Sequence, residues 1–91
     1  MRHRPKKDTN HDEIVLALRS AGASVQSLAA MGDGVPDVLC GYCGQNFLLE
    51  VKTDDGKLTP DEAKWHDDWR GSVHVVRTIE DALRVIRLPF E

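Results

Sequence analysis

Apolar and polar residues recur along the chain with two different spacings, one typical of helices and one typical of strands. A first helix is predicted between Asn10 and Gly22, because apolar residues repeat there at helical spacing. Asn10 and Glu13 have the spacing of a capping box, in which each side chain bonds the backbone of the other residue. From Ala23 to Leu28 apolar and polar side chains alternate, which predicts a half-buried strand.

Two more strands are predicted on either side of a glycine-containing turn. Val38-Leu39-Cys40 and Phe47-Leu48-Leu49 are short apolar runs, and Gly41-Tyr42-Cys43-Gly44 separates them. Glycines at turn positions suit a tight hairpin. The second of these strands is expected to continue to Thr53 and to be the central strand of the sheet.

The hairpin decides which polar side chains share a face. If Tyr42 and Cys43 form the turn, Glu50 is the diagonal neighbour of Asp37 on one face of the sheet. Lys52, two residues further on, points to that same face. A loop with an odd number of residues and no bulge would put Glu50 on the opposite face.

A second helix is predicted to begin in Leu58-Thr59-Pro60-Asp61-Glu62 and to end at Gly71. The threonine is a typical cap, the proline suits the first helical position, and the glutamate completes a capping box. Trp65 and Trp69 lie four residues apart and so share one face of this helix. They are predicted to belong to the core rather than to stack on bases.

A fourth strand at Val73–Val76 and a last helix capped by Thr78 complete the predicted elements. The order is helix, three strands, helix, strand, helix. A strand, a helix and a strand in one sheet imply a parallel crossover. The fold class is therefore α/β, with an α-β-β-β-α-β core, a mixed central sheet and a C-terminal helix.

A glutamate and a lysine inside an otherwise apolar strand are unfavourable unless they are paired or bind something. An ion pair between Glu50 and Lys52 is one explanation, but it leaves the matching register of Asp37 unexplained. The two carboxylates can instead bind one divalent metal ion, with the lysine ammonium as a second positive charge beside it. This combination suits hydrolysis of a phosphodiester, which develops negative charge.

Composition and charge narrow the class of protein. The 91 residues fit one domain, and 41% apolar with 30% charged residues is typical of a soluble globular chain. No apolar run is long enough to span a membrane, and the N-terminus lacks the apolar core of a signal peptide, so a cytoplasmic protein is expected. Residues 1–9 are predicted to be a basic flexible arm and residues 10–91 a single domain.

The net charge of −3 is unevenly distributed. The arm contains four basic residues that are candidates for contacts with DNA phosphates: Arg2, Arg4, Lys6 and Lys7. A solvated terminus is the alternative interpretation. Lys64 is a further candidate for a phosphate contact, although it too has a solvated alternative.

Cys40 and Cys43 form a C-x-x-C pair, but the four histidines have no paired spacing that would complete a zinc site. A redox pair normally opens a helix, whereas this pair straddles a hairpin. Cys40 is therefore predicted to be a small buried side chain.

The run Gly34-x-Pro36-Asp37, followed by Glu50-Val51-Lys52 and then Leu58-Thr59-Pro60, resembles the PD-(D/E)XK nuclease superfamily. More narrowly it is similar to the small virus-type replication–repair (VRR-NUC) members. The resemblance extends from Asn10 to Ile86. It implies a restriction-endonuclease-like fold and phosphodiester hydrolysis that depends on Mg²⁺, with Mn²⁺ as a substitute.

The resemblance also implies roles for individual residues. Asp37 and Glu50 would be metal ligands, joined by the carbonyl group of Val51 and by Glu13 of the first helix. Lys52 would orient the water and stabilise the phosphate. The family often has a glutamine in the second helix, near the position of Glu62 in this chain. The acid in its place puts a polar contact with the substrate in doubt and leaves capping of the helix as the alternative role.

Taken with these residues, the resemblance implies a DNA endonuclease selective for branched structures such as Holliday junctions. It also implies a homodimer or higher oligomer, in a bacterial cell or a phage-infected host. One alternative is a restriction-type nuclease that reads sequence, for which 91 residues leave little room. Another is a DNA-binding module of the same fold without catalysis, which the intact acidic residues and lysine disfavour.

Overall fold

A computed structural model of the chain describes residues 9–88. Its three helices are α1 (His11–Ser20), α2 (Pro60–Asp68) and α3 (Ile79–Ile86). Its four strands are β1 (Ser24–Ser27), β2 (Val38–Tyr42), β3 (Gln45–Val51) and β4 (Val73–Val76), with a short 3₁₀ turn at Ala29–Met31. Across the described range, none of the helices combines the length and the apolar character needed to cross a membrane.

The four strands form one sheet in the order β1-β2-β3-β4. β1, β2 and β3 pair antiparallel, whereas β3 and β4 pair parallel across the connection that contains α2. This mixed sheet, with helices beside it, confirms the predicted fold class and element order. β3 lies between β2 and β4, so its polar side chains sit in the middle of the domain rather than at an edge.

One face of the sheet carries the core. The first and last helices pack on it through Ile14 and Leu18 of α1 and through Ala82, Val85 and Ile86 of α3, all of which are buried. The strands contribute alternate residues to the same cluster: Val38, Cys40, Phe47, Leu49, Val51 and Val76. Because side chains of a strand alternate between faces, the residues between them, including Glu50, face away from this core.

The turn between β2 and β3 lies one residue further along than predicted. Tyr42 pairs with Gln45, which leaves Cys43 and Gly44 as the two-residue loop. Both loop residues have positive φ, 51° and 77°, as a type I′ hairpin turn requires. Glycine accepts this conformation without strain, which favours Gly44 inside the turn rather than beside it.

The predicted capping box of α1 is wrong. Asn10 occupies the N-cap position, but its side chain makes no capping hydrogen bond. Its amide group instead donates to the backbone carbonyls of Lys52, at 3.0 Å, and of Arg77, at 2.7 Å. Both carbonyls lie just beyond the ends of paired strands, where the sheet leaves acceptors to be satisfied. Asn10 therefore ties α1 to the ends of β3 and β4.

The helix α2 begins as predicted but packs differently. Thr59 and Glu62 form the reciprocal capping box, with proline at the first position. The helix ends at Asp68, and neither tryptophan joins the buried core. Trp65 and Trp69 stack on each other with their ring centroids 4.5 Å apart, and Trp69 remains 46% exposed. The prediction that both are core residues is therefore wrong.

Candidate active site

Asp37 and Glu50 lie across from each other where β2 enters the sheet. Val38 pairs with Leu49, so the same register continued by one residue sets Asp37 opposite Glu50. The even, two-residue loop keeps the parity that the sequence required, although the pair is directly opposed rather than diagonal. Asp37 Oδ2 also accepts a 2.8 Å hydrogen bond from the backbone N–H of Val51, which fixes its carboxylate beside β3.

Glu50 is the charged residue of the described chain that is most deeply buried, with 2% of its surface exposed. Burial, followed by the negative charges of Asp37 and Glu62, raises the pKa of Glu50 to about 9. The ammonium group of Lys52 opposes this shift without overcoming it. Glu50 Oε1 is buried and has no hydrogen-bond partner among the described residues. The carboxylate thus has an unsatisfied oxygen that a cation would satisfy.

Lys52 lies beside both acids. Its Nζ is 3.7 Å from Glu50 Oε2 and 2.8 Å from Glu62 Oε1, and only 12% of its side chain is exposed. Partial burial alone would raise the pKa of Glu62, but hydrogen bonds from Lys52 and from the Thr59 backbone lower it overall. The two glutamates therefore differ, since Glu62 is held as the anion by its donors and Glu50 is not.

The segment after Lys52 is anchored by Arg77. One guanidinium nitrogen of Arg77 donates to the carbonyl oxygens of Thr53 at 2.6 Å and Gly56 at 2.7 Å. The backbone N–H of Lys52 donates to the carbonyl of Val76 at 3.0 Å. Together with the amide of Asn10, these bonds fix the backbone on both sides of the lysine.

A cleft of about 300 Å³ opens above these side chains. It is lined by residues from α1, the end of β1, the segment between β1 and β2, the end of β3 with the residue after it, and the start of α2: His11, Ser27, Ala29, Gly32, Asp33, Gly34, Val35, Asp37, Glu50, Lys52, Thr59, Asp61 and Glu62. Asp37, Glu50 and Lys52 thus meet in one cleft, as the sequence predicted. Glu62, which the sequence indicated only as a cap, is a fourth member.

Glu13 does not reach this cleft. It is exposed on α1 and lines a separate depression beside Thr53 and Arg77. His11 enters the cleft instead. Residues three apart share a helix face, so His11 lies over the buried Ile14, whereas Glu13 is rotated away. That spacing separates His11 from Glu13 but does not by itself place His11 in the cleft.

The remaining candidates lie elsewhere. Val51 is buried, does not line the cleft, and presents its N–H to Asp37. Lys64 is exposed on α2, where it pairs with Asp68 at 2.7 Å. Cys40 is buried, which raises the pKa of its thiol, while Cys43 is exposed in the turn. The four basic residues of the arm lie outside residues 9–88.

The donors in the cleft fit a hard divalent cation. Within residues 9–88, no three or more His, Cys, Asp or Glu side chains form a complete metal-holding group. Mg²⁺ does not require one, because it is commonly bound by one or two carboxylates and keeps several waters. Asp37 together with the unpartnered oxygen of Glu50 supplies such a pair.

Comparison with known proteins gives one fold likeness. A solved structure described as a "VRR_NUC domain" superposes with a TM-score of 0.71 and 23% sequence identity, covering 90% of this chain and 99% of that one. No family model and no curated protein matches the sequence. The structural likeness confirms the resemblance drawn from the sequence motifs at the level of the fold. The chain therefore has the fold of a VRR_NUC domain.

Proposed function

We propose that the protein is a metal-dependent endonuclease that hydrolyses phosphodiester bonds in DNA. The observation that carries the proposal is the buried Glu50 carboxyl, with one unsatisfied oxygen, set opposite Asp37 and beside the Lys52 ammonium. An isolated buried carboxyl pair is unfavourable for folding, since one acid must be protonated or neutralised. A divalent cation neutralises both acids. The fold of a VRR_NUC domain supports the same class of enzyme.

Asp37 and Glu50 would hold Mg²⁺ or Mn²⁺, which when bound supplies Lewis-acid polarisation of the phosphodiester. Asp37 is aligned for this by the Val51 N–H, which binds one carboxylate oxygen. Lys52 places a positive charge at the edge of the acid pair, where it stabilises negative charge that develops on the phosphate. The walls of the cleft exclude part of the bulk water and so strengthen these interactions.

Cleavage assays test the proposal. Wild-type protein is incubated with supercoiled plasmid and with a four-way junction, in Mg²⁺, in Mn²⁺ and in EDTA. Asp37→Ala, Glu50→Ala and Lys52→Ala are each expected to abolish cutting while retaining the folded circular-dichroism spectrum. Lys57→Ala, at an exposed lysine that does not line the cleft, is the matched lysine control and should cut normally. A Lys52→Ala protein that cuts at the wild-type rate would remove Lys52 from the mechanism.

The substrate form and the assembly are further parts of the proposal. Branched DNA is proposed because small VRR-NUC members, which the sequence resembles, include enzymes that act on junctions. One cleft cuts one strand, and a two-fold dimer would bring two clefts to a branched substrate. Junction cutting without plasmid cutting supports this selectivity, whereas plasmid cutting alone favours a duplex-reading enzyme. Sedimentation of the protein at several concentrations measures whether the dimer exists.

A further inference from the structure

The start of α2 is held unusually close to the loop that carries Asp37. Gly34 has a φ of +82°, and a Cβ built on it would overlap the carbonyl of Asp61 and come within 3.0 Å of the Glu62 backbone nitrogen. Only a residue without a side chain lets the two backbones approach this closely. The first turn of α2 is therefore a fixed wall of the cleft.

Glu62 projects from that wall and makes two bonds with one oxygen. Its Oε1 accepts from the Thr59 backbone N–H at 2.8 Å and from the Lys52 ammonium at 2.8 Å. The first bond belongs to the capping box, so the position of the carboxylate is set by the geometry of the helix start. The second bond transmits that position to Lys52.

From this arrangement we infer that Glu62 is a positioning residue for Lys52. A lysine side chain has many rotamers, and a fixed hydrogen-bonded partner selects among them. The Lys52 ammonium is drawn to Glu62 at 2.8 Å and stays 3.7 Å from Glu50 Oε2, beyond hydrogen-bond distance. Glu62 thus draws the ammonium towards the start of α2, while Glu50 Oε1, which has no hydrogen-bond partner among the described residues, stays open to a cation.

This inference rests on the proposed nuclease function and assigns Glu62 a part in it. Without Glu62, the ammonium is expected to move onto the acid pair and compete with the cation's site. A displacement of about 1 Å in an active site can lower a rate by about 100-fold. An amide at position 62 still has an oxygen that accepts from Lys52, so glutamine should restore most of what alanine loses.

The experiment compares Glu62→Ala and Glu62→Gln with Thr78→Ala. Thr78 caps α3 by accepting from the Asp81 N–H and does not line the cleft, so its loss is a matched cap deletion away from the site. Plasmid and junction cleavage should show kcat reduced about 10- to 100-fold in Glu62→Ala, with KM nearly unchanged. Glu62→Gln should recover most of the rate, and Thr78→Ala should lose stability but not activity.

A second readout does not depend on cleavage. Side-chain ¹⁵N relaxation of the lysine ammonium groups should show Lys52 ordered in the wild type and mobile in Glu62→Ala, with Lys64 mobile in both. A Lys52 ammonium as mobile in the wild type as in Glu62→Ala would overturn the inference. So would a Glu62→Ala protein that cuts normally, or a Glu62→Gln protein that cuts as slowly as Glu62→Ala, since the amide oxygen could still hold Lys52. If the wild type cuts no DNA but Lys52 is ordered by Glu62, only the proposed function fails.

Discussion

Glu50 is the residue at which the needs of folding and of the proposed metal binding oppose each other. Its carboxyl is buried against Asp37, and the pKa of Glu50 is raised to about 9 by burial and neighbouring charge. In the unfolded chain the same group has a pKa near its ordinary value of about 4.3. In the absence of metal, folding therefore takes up a proton above pH 4–5, and this group's contribution to stability is lost as pH rises towards 9.

Glu50→Gln is expected to stabilise the metal-free protein, and to do so more strongly as pH rises. Glutamine has the shape of the protonated acid but never has to bind a proton. With EDTA present, the melting temperatures of the two proteins should be similar at pH 5, and the variant should melt at least about 4 °C higher at pH 9, since about 1 kcal/mol shifts a domain of this size by that much. Thermal unfolding followed by circular dichroism at pH 5, 7 and 9 measures the difference. An identical melting difference at all three pH values would contradict the assignment.

The site residues differ in how far they can be predicted from sequence. The sequence predicts that Asp37, Glu50 and Lys52 lie together. Strand alternation alone puts Glu50 and Lys52 on one face of the sheet, and any hairpin loop with an even number of residues puts Asp37 on that same face. Glu62 is indicated only as a cap, since its approach to Lys52 depends on how α2 sits on the loop before β2. Such an approach is a tertiary property that no local spacing encodes.

At the scale of elements, α2 is attached to the domain differently from α1 and α3. The other two helices bury apolar residues in the core, whereas no residue of α2 is buried. Trp65 and Trp69 line an apolar groove together with Leu39 and Leu48 from the outer face of the sheet. Two tryptophans on one helical face are typical of a core stripe. Here α2 ends at Asp68, and Trp69 follows in extended conformation, which leaves it at the rim.

Replacing Trp69 with alanine should therefore destabilise the protein much less than replacing a core residue. Leu49, which is fully buried between the helices and the sheet, is the comparison. Leu49→Ala is expected to lower the free energy of unfolding by about 2–5 kcal/mol. Trp69→Ala should lower it by about 1 kcal/mol, chiefly through the lost stacking on Trp65. Chemical denaturation of the three proteins measures both values, and equal losses would place Trp69 in the core after all.

Over the whole molecule, the order of elements and the mixed sheet follow from the sequence, because periodicity and caps each act locally. Thr59 and Thr78 both cap their helices as predicted. Asn10 does not, because the ends of β3 and β4 offer its amide two carbonyls that are distant in the chain. The hairpin turn lies one residue further along the chain than predicted. The reason is local, because the two positions with positive φ angles are Cys43 and Gly44. What escapes prediction is the set of contacts that join elements.

A substitution at Gly34 tests whether the packing of α2 on the segment before Asp37 matters for the site. Gly34 lies against the backbone of Asp61 and Glu62, and the Glu62 side chain in turn binds Lys52. Gly34→Ala imposes a positive-φ strain of about 1–2 kcal/mol and also forces the first turn of α2 outwards. Gly44→Ala imposes a similar strain, at φ +77°, but its Cβ meets nothing within 4 Å. Gly34→Ala should therefore lose more stability than Gly44→Ala, because its Cβ also meets the backbone of Asp61. Under conditions in which both variants are folded, only Gly34→Ala should lose most of the proposed DNA cleavage and release the Lys52 ammonium. Equal cleavage by the two variants would mean that the close packing of α2 on this loop serves stability alone.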